Sequence, residues 1–335
     1  MNTKAAEKKM RSTKSTVLLV MACWVVVLLA GIALPQVVGT YQLQLAVQAA
    51  TLGTFALSIA WLVNQTGMLS FGHAAYYGVA GYSVAILTTE TDVPLIVVIA
   101  AAVLISAVFA FVVGLVIAKS PGVAFAMLSL SIGMLVWVAT TKLDSVTHGT
   151  DGFNIVFEGS FLGKDAMSYI NPVTSWPVVW SALMLVMALF WFVNRSVFGR
   201  RLVAVRENEE RMRFSGYRTY MPRVLAFVLS AAIAGLAGCM AVLTSSYISP
   251  DNLSFHVSGL ALSVAILGGI GSIVGPSVGA IIFVLLQAYL SGSSNYEFIL
   301  GGALMVVIIA APGGLAEIVK KLVSLVMRRR RAAHV

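Results

Sequence analysis

Apolar runs long enough to cross a bilayer, repeated along the chain and separated by short polar turns, constrain this sequence more than any other feature. A spanning helix needs about 20 predominantly apolar residues, and backbone in hydrocarbon must satisfy its own hydrogen bonds, so each run is read as a helix. Only 10% of the 335 residues are charged, against about 25% in soluble domains. The expected fold is all-α, a polytopic transmembrane bundle of about ten membrane segments that includes short or broken helices.

The spans are read as Val17–Leu34, about Tyr41–Val63, Leu69–Thr88, Pro94–Ala118, Val123–Thr141, Trp176–Asn194 and Val224–Tyr247. A broken region follows at Val257–Leu290, and a last span at Phe298–Ala311 ends at Pro312-Gly313-Gly314. Glycine and proline at Gly268, Gly269, Gly271, Gly275 and Pro276 split Val257–Leu290 into two short helices. The net charge of +9 comes from basic residues gathered between apolar runs. That pattern points to the cytoplasmic face of a membrane and away from nucleic acid.

Residues 1–16 and 323–335 are accordingly basic cytoplasmic termini flanking a transmembrane unit at 17–322. A loop at about 142–176 is external, and one at about 195–222 is cytoplasmic. Eight arginines between Arg195 and Arg223, against Glu207, Glu209 and Glu210, fix the side of that second loop. Val17–Leu34 is read as a first span and not as a cleaved signal, because no small-residue cleavage site follows it. Cys23 and Cys239 lie in apolar runs and suggest packing.

The stretch Asn64–Leu87 is the least ordinary. It carries Gly67, Gly72, Gly78 and Gly81 together with Asn64, Gln65, Ser70, His73 and Tyr76, although each helical glycine costs about 1 kcal/mol and polar groups in hydrocarbon need partners. Such a segment faces protein or water, which makes Asn64, Gln65, Ser70, His73 and Tyr76 candidates for a translocation pathway. Packing with internal hydrogen bonds is the competing reading, and for His73 the better one. Gln44 and Gln48, one turn apart, either join that path or bond between helices. Thr147–Gly152 is either an external contact or a simple Asx-type turn.

Absences narrow the function. No Asp, Glu, Lys or Arg falls near the middle of an expected span, so an ion-driven transporter lacks the group that would carry its proton. Gly159–Asp165 misses the phosphate-loop pattern by one residue of spacing and by an aspartate after the lysine. His73, His148, His256 and His334 show no metal-ligand spacing. No catalytic, cofactor-binding or metal site is expected in this chain.

Ala204–Arg213 reads as one short helix with charge all round, ended by Gly216, suited either to docking on a cytoplasmic protein or to lipid headgroups. Gly271, Gly275 and Gly279 form a tandem small-residue series that favours close helix packing.

Three separated motifs, in order, carry a resemblance. Gly67–Tyr76, Ala204–Glu209 with Gly216, and Leu267–Ser272 with Gly275 and Gly279 resemble the LivM-type permeases of branched-chain amino acid ABC transporters, across about Leu43–Leu322. The resemblance implies a subunit of the bacterial inner membrane. Its implied partners are a homologous permease, two cytoplasmic ATPase subunits that use the ATP, a periplasmic substrate-binding protein, a small-molecule substrate and membrane lipid. It also implies coupling to the ATPases through Arg206, Glu207, Asn208, Glu209 and Gly216. The loop departs from the broader permease signature in having Glu209-Glu210-Arg211-Met212 where an alanine-rich start is usual. Related permeases handle urea, other amino acids or small carboxylates. A self-sufficient channel and a membrane scaffold are the alternatives outside this family.

Overall fold

The computed structural model describes residues 24–291 and the positions 298–299, 301–302, 305, 309 and 314. The basic N-terminus, the start of the first span, the turn at Glu297, most of the last span and the basic tail fall outside the described residues.

The chain is an all-α membrane bundle. Its helices are α1 (Trp24–Gln36, ending in a 3-10 turn), α2 (Thr40–Thr66), α3 (His73–Glu90), α4 (Leu95–Ile117), α5 (Gly122–Lys142), α6 (Asp144–Thr147), α7 (Pro172–Arg195), α8 (Val197–Glu207), α9 (Glu209–Phe214), α10 (Tyr220–Ser245), α11 (Phe255–Gly268) and α12 (Gly275–Leu290). Among the described residues, α2, α4, α5, α7 and α10 are long and apolar enough to cross a membrane. The remaining bundle helices α1, α3, α11 and α12 are shorter or more polar.

Burial sorts these helices. α2 runs through the centre, against α7, α10, α11 and α12, and is buried almost continuously from Ala49 to Leu62. Ala, Gly, Ser and Thr at Ala56, Ser58, Ala60, Gly53 and Thr54 let neighbouring backbones approach, which is how helices associate where lipid supplies no hydrophobic drive. α4 and α5 are peripheral, with Leu104, Val108, Val112, Val123, Met127 and Leu135 exposed on their outer faces. Trp61 stacks on Phe190 with centroids 4.6 Å apart, and its Nε1–H donates to Asn194 Oδ1 at 2.8 Å, tying α2 to α7.

The helix of Leu69–Thr88 begins later than the sequence suggests, at His73, because α2 stops at Gly67 in the left-handed region with φ 72°. Residues 67–72 cross the interior as irregular chain. α7 likewise starts at Pro172, four residues before Trp176, where Asn171 Oδ1 caps it by accepting from Val173 N at 3.0 Å.

The loop after α5 is more ordered than a plain external turn. β1 (Phe153–Asn154) pairs antiparallel with β4 (Tyr247–Ile248), which follows α10, and β2 (Ser160–Phe161) pairs with β3 (Lys164–Asp165) within the loop. Phe153, Ile155, Phe157, Phe161 and Tyr169 are buried with Tyr82, Leu95 and Val98 of the bundle. In the Thr147–Gly152 turn, His148 stacks on Phe153 at 4.0 Å. Gly152, at φ 69°, sits where a Cβ would fall 2.3 Å from the Ile248 carbonyl oxygen.

Val257–Leu290 divides into α11 and α12, joined by the non-helical residues 269–274. A Cβ on Gly279 would meet the Val264 carbonyl oxygen at 2.4 Å, and one on Gly268 would meet that of Gly275 at 1.9 Å. Pairing 264 with 279 and 268 with 275 makes the two helices an antiparallel hairpin. Gly271 departs from the packing expectation: it lies in the connection with nothing among the described residues within 4 Å of its Cβ position. The spacing Gly271-Gly275-Gly279 makes a ridge only on a continuous helix, and this helix starts at Gly275.

Candidate functional site

The interior break at 67–72 is closed by hydroxyls from distant helices. A chain leaving a helix inside a bundle exposes orphan amides that need acceptors. Phe71 N donates to Ser129 Oγ of α5 at 3.1 Å, and Ala74 N donates to Ser258 Oγ of α11 at 2.8 Å. Gly72 lies against α5 so closely that a Cβ would be 1.9 Å from the Ser129 carbonyl oxygen, while one on Gly133 would be 2.9 Å from the Gly72 Cα. The first turns of α3 and α11 therefore meet, with the Phe71 and Phe255 rings 5.8 Å apart beside them.

His73, the first residue of α3, is fully buried. Its Nε2 lies 2.8 Å from Ser230 Oγ of α10, and Ser230 Oγ donates to the Ser58 carbonyl oxygen of α2 at 2.8 Å. The direction of this relay follows from valence. A carbonyl only accepts, so the single serine proton goes to Ser58, and Nε2 must be the donor to Ser230. Nδ1 then carries the free lone pair, and it is buried without a partner among the described residues, as is Ser70 Oγ nearby in sequence. Tyr76 and Phe227 set their rings edge-on to the imidazole, with centroids at 5.7 and 6.0 Å.

Of the pathway candidates, Gln65, Ser70, His73 and Tyr76 are buried and Asn64 is half-buried. In this conformation Gln65, Ser70, His73 and Tyr76 sit in packed protein. Gln48 is exposed and Gln44 half-buried on α2.

At the far end of α2 lies the basic segment. The single helix expected over Ala204–Arg213 is two, α8 and α9, because Asn208 adopts extended angles (φ −159°, ψ 95°) and caps α9 by accepting from Arg211 N at 2.8 Å. Gly216 follows at φ 82°, a left-handed position where glycine carries no steric cost. Arg206 and Glu207 end α8, exposed. The Arg206 Nη1 group donates to the Asn64 carbonyl oxygen, and a Cβ on Gly67 would meet Arg206 Cγ at 3.3 Å. Glu209 faces the other way, accepting from Thr219 Oγ1 at 2.9 Å and pairing with Arg223 at 2.8 Å at the start of α10.

Two members of the charged segment thus hold the ends of two central helices: Arg206 holds α2, just before the break that leads to His73, and Glu209 holds α10, which carries Ser230. Ser58, Ser129, Ser230 and Ser258 carry no local signal for these roles, because their partners lie 58 to 184 residues away.

The profile of the family described as branched-chain amino acid transport system / permease component matches residues 41–309, from the start of α2 to the last span. This chain belongs to that family. The permease is 26% identical over 275 residues to the high-affinity branched-chain amino acid transport system permease protein LivM of Salmonella typhimurium, an alignment covering 76% of this chain and 65% of that protein. It is 25% identical over 276 residues to LivM of Escherichia coli, with the same coverage. The chain therefore spans just under two thirds of the length of these curated relatives. A shorter similarity, 29% over 120 residues and 34% of each chain, is to the autoinducer 2 import system permease protein LsrC of Yersinia pseudotuberculosis. No solved structure matches the chain.

Proposed function

We propose that this permease is one membrane-spanning subunit of an ATP-binding-cassette importer that moves branched-chain or related hydrophobic amino acids inward. ATP is used by two separate ATPase subunits on the side of the basic loop. A second, homologous permease subunit completes the pathway, and a substrate-binding protein delivers solute from the opposite face. The observation that carries this reading is the contact of Arg206 with the end of α2, since it joins an exposed charged segment to the break at 67–72, which holds Ser70 and leads to His73. Placing the basic loop in the cytoplasm follows the positive-inside rule.

In this reading a push on α8 and α9 is felt at α2 and α10 together. The His73–Ser230–Ser58 relay joins α3, α10 and α2 at one point, so relative movement of α2 and α10 strains it and frees the polar atoms of the break. The test is reconstitution. Proteoliposomes holding this permease with the neighbouring permease, ATPases and binding protein are expected to accumulate labelled leucine, isoleucine or valine only with ATP inside. Flux of any solute through the purified permease without an ATPase would support a self-sufficient channel instead. Uptake of urea in place of leucine would keep the importer and replace the substrate.

The relay gives a sharper expectation. His73→Ala removes a buried hydrogen bond and opens a cavity in an aromatic cluster, a stability loss of about 3 kcal/mol. His73→Gln keeps a donor that can reach Ser230 and is expected to recover most of that loss in a thermal melt. Ser70→Ala removes a buried hydroxyl that has no partner, so it should leave the melt unchanged or raise it. If Ser70→Ala nonetheless depresses uptake at equal abundance, Ser70 serves the moving solute; if uptake follows abundance in all three variants, the break is structural only.

A further inference from the structure

We infer that the basic pocket between the ends of α4 and α10 holds the phosphate headgroup of an anionic phospholipid. The cavity has a volume of about 650 Å3, and Lys119, Arg213, Arg218 and Arg223 line it against the single carboxylate of Glu209. Lys119, Arg213 and Arg218 are exposed. Arg223 is different. It is only 7% exposed, one of its Nη groups is held by Glu209 at 2.8 Å, and its Nε–H is buried with no acceptor among the described residues. A nearly buried guanidinium with a donor still unpaired favours an anionic oxygen beside it.

Surroundings decide between kinds of anion. The pocket opens where two bundle helices meet the polar end, with α4 stopping at Ile117 and α10 starting at Tyr220. Tyr220 ties them, its hydroxyl donating to the Leu115 carbonyl oxygen while its ring lies 5.5 Å beneath Lys119 Nζ. Above the pocket, Leu104, Val108, Val112 and Val116 are exposed at every fourth residue of α4, and Lys119 continues the same face three residues on. Met221 and Leu225 are exposed on α10 one turn apart, and Met221 lines the cavity itself. A soluble anion or an acidic peptide has no use for that apolar track. A phospholipid uses both parts, acyl chains along α4 and phosphate among the cations, in the manner of basic interfacial pockets on membrane proteins. This inference does not depend on which solute the permease moves.

The test uses the full chain, purified in mild detergent and titrated in native mass spectrometry with phosphatidylglycerol or phosphatidylethanolamine of identical acyl chains. Phosphatidylglycerol is expected to bind at least about tenfold more tightly. The triple variant Lys119→Gln/Arg213→Gln/Arg218→Gln is expected to weaken it by on the order of 100-fold while leaving phosphatidylethanolamine unchanged. If the triple variant is not recovered folded, Arg218→Gln alone, at an exposed non-helical position, carries the same comparison with about a fivefold loss. Equal retention of the two lipids, or a variant that binds phosphatidylglycerol like the parent, overturns the inference. So does displacement of the lipid by millimolar inorganic phosphate, which would mark a site for soluble anions. A variant that keeps its lipid but loses a co-purifying ATPase subunit would give the pocket to a protein partner.

Discussion

Arg206→Ala/Glu207→Ala is expected to reduce ATP-driven uptake in reconstituted complexes by more than about tenfold, while the permease is recovered in normal amount with a melt lowered only slightly. Both residues are exposed at the end of α8, and losing one exposed charge-assisted hydrogen bond costs about 1–2 kcal/mol. The fold therefore survives. What goes is the bond from Arg206 to the Asn64 carbonyl oxygen, which in the proposed mechanism carries displacement of the charged segment to α2. Arg206→Lys separates charge from geometry, since an ammonium keeps the charge and loses the planar fork of donors. Partial recovery by lysine points to charge, and none points to the specific reach of the guanidinium. Full uptake with full stimulation of the ATPases in the double variant removes Arg206 and Glu207 from the coupling route. ATPase activity that no longer responds to the binding protein, with assembly intact, supports it.

The break at 269–274 was legible in the sequence because its cause is local, whereas the one at 67–72 showed only as a glycine-rich stretch, with its helix expected from Leu69 and found from His73. Gly67 has to end α2 in the left-handed region, and the run from Gly268 to Pro276 cannot continue a helix. The groups that close the first break were not legible. A serine in an apolar helix can always bond the carbonyl one turn back, so nothing near Ser230 or Ser258 announces that one receives His73 and the other the Ala74 amide. Asn208 misled for a related reason. Its neighbours suit a continuous charged helix, but an asparagine that caps the next helix stabilises a break by about 1 kcal/mol, and here the break lets Arg206 and Glu209 point to different helices. Gly271 misled because a spacing argument assumes the helix it is meant to test. The basic pocket was hidden for the opposite reason: Lys119 is separated by about 100 residues from Arg218, and composition placed both only on the same side.

Gly72→Ala is expected to cost about 3 kcal/mol, at the top of the range for forcing extra atoms into a packed interior, and to be the most damaging alanine substitution in the first break. The backbone at Gly72, φ −101° and ψ 18°, is open to any residue, so torsional strain does not explain the glycine. Close approach does. A Cβ there would fall 1.9 Å from the Ser129 carbonyl oxygen and 2.8 Å from its carbon. Those are backbone atoms of a helix that cannot rotate aside, so α3 and α5 must separate and the Phe71 N–H loses Ser129 Oγ. Two other glycines serve as controls. At Gly78 the three atoms nearest the added methyl all belong to the Leu253 side chain, with Cγ at 2.1 Å, and a side chain can change rotamer where backbone cannot, so Gly78→Ala should cost less. At Gly259, within α11, nothing lies within 4 Å, and Gly259→Ala should be neutral or stabilising by up to about 1 kcal/mol through helix propensity. Thermal melts of the three variants in one detergent read the order directly. A Gly72→Ala protein as stable as Gly259→Ala would mean that α3 and α5 stand further apart than described, and the seam that positions His73 would have to be redrawn.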